Sequence, residues 1–159
     1  MNKDICCPKF NPKGWDGKEL VWKNKPFVKD KVCCLFHIPL NFGKVITRMW
    51  KKVQDAKAQP EEYKDWLLLS HDVSLWKSIQ YLAVSKPVEG MENVKLSGRY
   101  LTKVFEGPYK DAGKWYKEMQ EYVKSKKKVA KNIYFNYTTC PKCAKKYGKN
   151  YVVLFAEIE

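Results

Sequence analysis

Arginine is all but missing from this chain of 159 residues: Arg48 and Arg99 are the only two, so the formal net charge of +14 rests almost wholly on lysine. Base readout and tight phosphate clamps use the planar guanidinium fork. Its scarcity argues against nucleic acid as the partner and for a solvated, lysine-rich surface. Long apolar runs are missing too. Nothing approaches the roughly 20 residues that span a bilayer, and the start M-N-K-D-I-C-C-P has no signal-peptide core. The expectation is a cytoplasmic protein with no membrane partner. The sequence also has no Ser-His-Asp order, no phosphate loop and no H-E-x-x-H, which removes the commonest hydrolytic and nucleotide-dependent chemistries.

What is present is aromatic and apolar. At 45% hydrophobic and 14% aromatic residues, the chain has material for one core and does not read as disordered. Residues 1–30, dense in Lys, Pro and Gly, read as an irregular arm whose Trp15, Trp22 and Phe27 pack on the core. Residues 31–38 alternate as a strand ended by Pro39. Asn41 is then a good N-cap for a helix with Phe42, Val45, Ile46, Met49, Trp50 and Val53 on one face. Two strands follow, over 65–72 and 75–84.

The pattern then recurs. Arg99–Phe105 reads as a strand stopped at Gly107-Pro108. Ala112, Trp115, Tyr116, Met119, Tyr122 and Val123 make the face of a second helix. Strands over 133–137 and 151–158 complete the order. The expected fold is therefore α+β, a tandem βαββ repeat over about 31–88 and 97–159. Its antiparallel sheet carries two helices on one face and leaves a cleft between the halves.

Two constellations could carry chemistry. Cys140-Pro141-Lys142-Cys143 has the spacing of half a tetrahedral zinc site. Cys6 and Cys7 could complete it, with Cys33, Cys34, His37 and His71 as further ligand candidates. The alternative is a reduced pair that ties down its loop. The second constellation is aromatic: Trp66, Trp76, Tyr81, Tyr100, Trp115, Tyr116, Tyr134 and Tyr137 fall in the elements that would wall a cleft, and such walls suit an apolar, planar or cationic small molecule. Glu106, Glu157, Asn132 and His71 are the polar groups at hand.

The segment V-F-E-G-P-Y with its helix, then I-Y-F-N-Y-T-T-C-P and a final apolar strand, resembles the GyrI-like small-molecule-binding superfamily. The C-C-P-K-F, W-D-G and C-P-K-C-A-K-K-Y-G segments resemble a bacterial subgroup whose members are uncharacterised or labelled hydrolases. The resemblance implies a tandem βαββ fold with a ligand cleft, in a family of drug-sensing domains, a gyrase-inhibitory protein and cyclopropanoid hydrolases. Several members carry a pocket glutamate in a motif similar to E-I-Y-L. Here that glutamate falls on Asn132 and the tyrosine on Tyr134. An amide cannot act as a carboxylate does.

The leading expectation is thus a small-molecule-binding domain. Trp66, Trp76, Tyr81, Trp115, Asn132, Tyr134, Tyr137 and Glu157 would line its site for an apolar or aromatic ligand, for xenobiotic sensing or detoxification. The alternatives are a hydrolase of electrophiles using Glu106, Tyr109 and Tyr134, and a zinc-bearing basic adaptor for nucleic acid or protein.

Overall fold

The computed structural model describes residues 10–36, 38–62, 65–138 and 145–158. They form two compact units, Trp22–Ser97 and Met1–Val21 with Gly98–Glu159. Each is a mixed α/β assembly in which one 14-residue helix packs on antiparallel strands.

In Trp22–Ser97, β1 (Glu19–Leu35, entering from the other unit) pairs with β4 (Lys77–Ala83), and β4 pairs with β3 (Leu68–Ser74). The two-residue β2 (Ile38–Pro39) folds back on the end of β1. Helix α1 (Phe42–Asp55) presents Val45, Met49 and Val53 to Val28, Val32, Cys34, Leu82 and Val84. Its apolar face is the one its sequence period predicts. Three polar side chains are also buried here. Ser70 Oγ donates to Gln80 Oε1 (2.6 Å), and Gln80 Nε2 donates to Ser78 Oγ (3.0 Å). Their mutual bonding offsets the cost of removing them from water.

Three expectations change. Residues 19–30 are not an irregular arm but the first two thirds of β1. The strand stops at Leu35, because Phe36 takes a left-handed backbone with φ 49° and its ring is 64% exposed. Asn41 does precede α1, but its side chain makes no cap bond; its Oδ1 accepts the Cys33 N–H at 2.9 Å instead, tying the helix start to β1.

In the second unit, β5 (Glu92–Glu106, entering from the first unit) and β6 (Ala130–Tyr137) both pair antiparallel with β7 (Tyr151–Ile158), which is central. Helix α2 (Ala112–Ser125) buries Trp115, Met119 and Val123 against Leu101, Phe105, Ile133, Val152, Leu154, Ala156 and Ile158. The β5–α2 corner is held from both sides: Gly107 N–H donates to Asn150 O, and Asn150 Nδ2 donates to Gly107 O. Gly107 has φ 146°, and a Cβ there would come within 3.4 Å of the Trp115 ring.

The other face of these strands is met by residues 10–18. Thr102 N–H donates to Lys18 O and Gly17 N–H to Thr102 O, while the Thr102 hydroxyl donates to Trp15 O. The Trp15 ring meets Phe155 edge-on at 5.8 Å, and Phe10 lies 5.7 Å from Tyr151.

Among the described residues, no helix is long and apolar enough to cross a membrane.

Candidate functional site

The strongest polar constellation in the unit Gly98–Glu159 lies at the Glu157 end of β7, on the face away from α2. Glu157 is flanked in register by Tyr100 of β5 and by Asn132 of β6. Asn132 Nδ2 donates to Glu157 Oε2 at 2.9 Å, and both residues are half-buried. The pairing shifts between Ala130 and Asn132. Such a bulge re-aims the side chain that follows it, and here it brings the amide onto the carboxylate.

One pleat further along, Tyr134 lies opposite Phe155, and its ring centroid is 6.4 Å from that of Tyr100. Both tyrosines are almost wholly buried. Gly98 completes the arrangement: a Cβ at this position would lie 3.8 Å from Glu157 Oε1 and 3.8 Å from the Tyr100 ring. The missing side chain leaves the space beside the carboxylate and the Tyr100 ring unfilled by this residue. A half-buried carboxylate oriented by one amide can accept an ammonium, an onium ion or a hydrogen-bond donor; the Tyr100 and Tyr134 rings nearby are packed in the core.

The remaining predicted residues are placed differently. Tyr137 points to the opposite face from Tyr134, stacks on Phe135 at 6.1 Å and meets Tyr109 edge-on at 5.6 Å. Trp115 is core, stacked on Phe105 at 6.0 Å. Glu106 is exposed at the far end of β5, opposite Tyr151, whereas Tyr134 lies opposite Phe155. Four strand residues separate those two levels, roughly 13 Å. Glu106, Tyr109 and Tyr134 therefore do not converge.

Trp66, Trp76 and Tyr81 belong to the Trp22–Ser97 unit. Trp66 donates its indole N–H to Pro60 O (2.6 Å) and packs on Trp50, and Trp76 packs on Phe36 at 5.2 Å while 54% exposed. Tyr81 is half-buried on β4, opposite Lys29 and Leu69. Cys6, Cys7, Cys140, Cys143 and His37 lie outside the described residues. Of the further ligand candidates, Cys33 is exposed, Cys34 is buried and His71 is on β3.

The pairing of Asn132 with Glu157 and the part of Gly98 are absent from the sequence reading. A lone Gly inside the strand pattern before Arg99-Tyr100 is the signal that could have found the latter.

No curated protein matches the chain in sequence. Among solved structures it resembles the EcmrR C-terminal domain, with TM-score 0.68, 12% identity, and 91% of this chain and 98% of that one covered. A hydrolase from Listeria innocua gives TM-score 0.62, 12% identity and coverage of 91% and 92%. SAV2435 bound to tetraphenylphosphonium gives 0.57, 10% identity and coverage of 91% and 94%. At these identities the likeness is one of fold. The family model described as bacterial hydrolase matches residues 1–158, and to that bacterial hydrolase family the chain belongs.

Proposed function

We propose that the protein binds small, largely aromatic molecules, preferentially cations, at the Glu157 carboxylate. The observation that carries this reading is the Asn132–Glu157 hydrogen bond beside the Tyr100–Tyr134 pair. An amide at position 132 keeps no charge of its own, but it orients a carboxylate one strand away on the same face. The acid that the GyrI-like pattern carries in the Asn132 position is thereby supplied by β7. The GyrI-like tandem βαββ repeat is part of the same proposal, supported by the order β5, α2, β6, β7 and, with the two-residue β2 set aside, by the order β1, α1, β3, β4. It gains weight from the fold shared with SAV2435, whose structure holds a lipophilic aromatic cation.

The test is calorimetric titration with tetraphenylphosphonium. The parent protein should bind saturably, and Glu157→Gln, which keeps the shape and removes the charge, should weaken binding at least tenfold, about 1.4 kcal/mol. Saturable binding left unchanged by Glu157→Gln would refute the assignment, as would no binding by the folded parent.

The family description favours one second reading, hydrolysis of an electrophile. Glu157 is then better placed than Glu106 to direct a water, because a hydrogen bond fixes its orientation and it is half-buried. In the same pair of proteins, turnover that survives in Glu157→Gln would refute that version.

A further inference from the structure

A cavity in the Trp22–Ser97 unit has an electrostatic character opposite to that of the Glu157 carboxylate. It measures about 640 Å³, and half of the ten residues lining it are lysine or arginine, against 31 in 159 for the chain. The cations are Lys29 and Lys31 of β1, Arg48 and Lys52 of α1, and Lys77 of β4. Two carboxylates also line it, and both are engaged: Asp30 accepts from Arg48 Nη2 at 2.6 Å, and Glu92 lies 3.2 Å from Lys29 Nζ. Among the described residues Lys31, Lys52 and Lys77 have no carboxylate in salt-bridge range, which leaves the cavity with a surplus of three positive charges.

Lysines gathered from three elements around one concavity repel one another, and each gains when an anion enters. On an evenly solvated surface the same charges would be spread apart. The floor is not wholly polar, since Ile79 and Met91 contribute to it. Gly90, with φ 81°, leaves its rim uncrowded, as a Cβ there would meet nothing within 4 Å. The volume suits a small molecule and not a chain. The near-absence of arginine again disfavours an extended nucleic acid, whose clamps use the guanidinium fork.

We propose that this cavity is an anion site, separate from Glu157, that takes a compact phosphate-bearing ligand of about three negative charges. Its ligand class is opposite in sign to that of the Glu157 site, so the two proposals stand or fall independently.

The probe is inorganic pyrophosphate, titrated calorimetrically into the full chain at low ionic strength and neutral pH. The parent should bind one equivalent saturably. Lys52→Glu and Lys77→Glu should each weaken binding at least tenfold, Lys52→Arg should retain it, and Lys117→Glu on the exposed face of α2 should leave it unchanged. Circular dichroism checks that each variant is folded. No saturable binding by the parent overturns the proposal, and so does equal weakening by Lys117→Glu, which would mean diffuse attraction to a basic surface. Two further arms use a single-stranded oligonucleotide and vesicles of anionic lipid. Tighter binding of either, lost in Lys52→Glu and Lys77→Glu, overturns the small-ligand assignment in favour of that polyanion.

Discussion

Cys33 and Cys34 are adjacent in sequence and opposite in surroundings. Alternation along β1 leaves Cys33 exposed and buries Cys34, which is 6% exposed and packs with Val32 and α1. Burial, with the negative charge of Asp72 and the neighbouring Cys33 adding to it, pushes the Cys34 thiol above its ordinary pKa. A maleimide at neutral pH should therefore label Cys33 at least tenfold faster than Cys34, as read by fragment-ion mass spectrometry that places the adduct within the one peptide carrying both. Equal rates would contradict the strand register. The same shift has a consequence for stability. The folded state keeps the Cys34 proton at a pH where the unfolded chain has released it. Its contribution is present below the ordinary thiol pKa and is lost as pH rises through the raised one. Cys34→Ala should reduce the alkaline part of the stability profile's slope, measured as urea midpoints against pH.

At the scale of the element, α1 is held by three side chains, Val45, Met49 and Val53, of which Met49 is 0% exposed. Met49→Ala should destabilise the protein by roughly 2–5 kcal/mol in urea denaturation. A loss below about 0.5 kcal/mol, the range of surface changes, would mean that the helix does not pack as described. Both helices were legible because their apolar period is long and regular, and α2 differs from its predicted face only in that Tyr116 is 40% exposed. Strand β7 was legible from its six-residue apolar run at Tyr151–Ala156.

The first two thirds of the long strand β1, residues 19–30, were not legible, whereas residues 31–35 were. Lys23, Asn24, Lys25 and Pro26 give the earlier stretch the composition of a loop, and its pairing with β4 is a tertiary contact that local propensity does not encode. The candidate site was half legible. Tyr134, Asn132 and Glu157 were among the residues singled out, but their meeting depends on register and on one bulge. Tyr134 and Tyr137 were expected on one wall, although their odd spacing in a strand already separates their faces.

At the scale of the molecule, one unit is discontinuous: it joins residues up to Val21 with those from Gly98 onward. The joint rests on Thr102, which is wholly buried and exchanges hydrogen bonds with Trp15, Gly17 and Lys18 of the arm, and on the half-buried Trp15 against Phe155. Trp15→Ala should cost about 2 kcal/mol, less than a fully buried Trp because part of the ring is already wet. The measurement is the urea midpoint at constant helical circular dichroism. An unchanged midpoint would show the arm to be energetically idle.

The arm's docking also orders events in time. Trp15 and Asp16 bond to Thr102 and Val104 across 87 and 88 residues of chain, and Phe155 is made later still. During synthesis the arm emerges well before the strands that seat it, a wait on the order of ten seconds at ribosomal speeds. Until β7 is made, the Phe10 and Trp15 rings lack the two rings they meet in the folded chain, Tyr151 and Phe155.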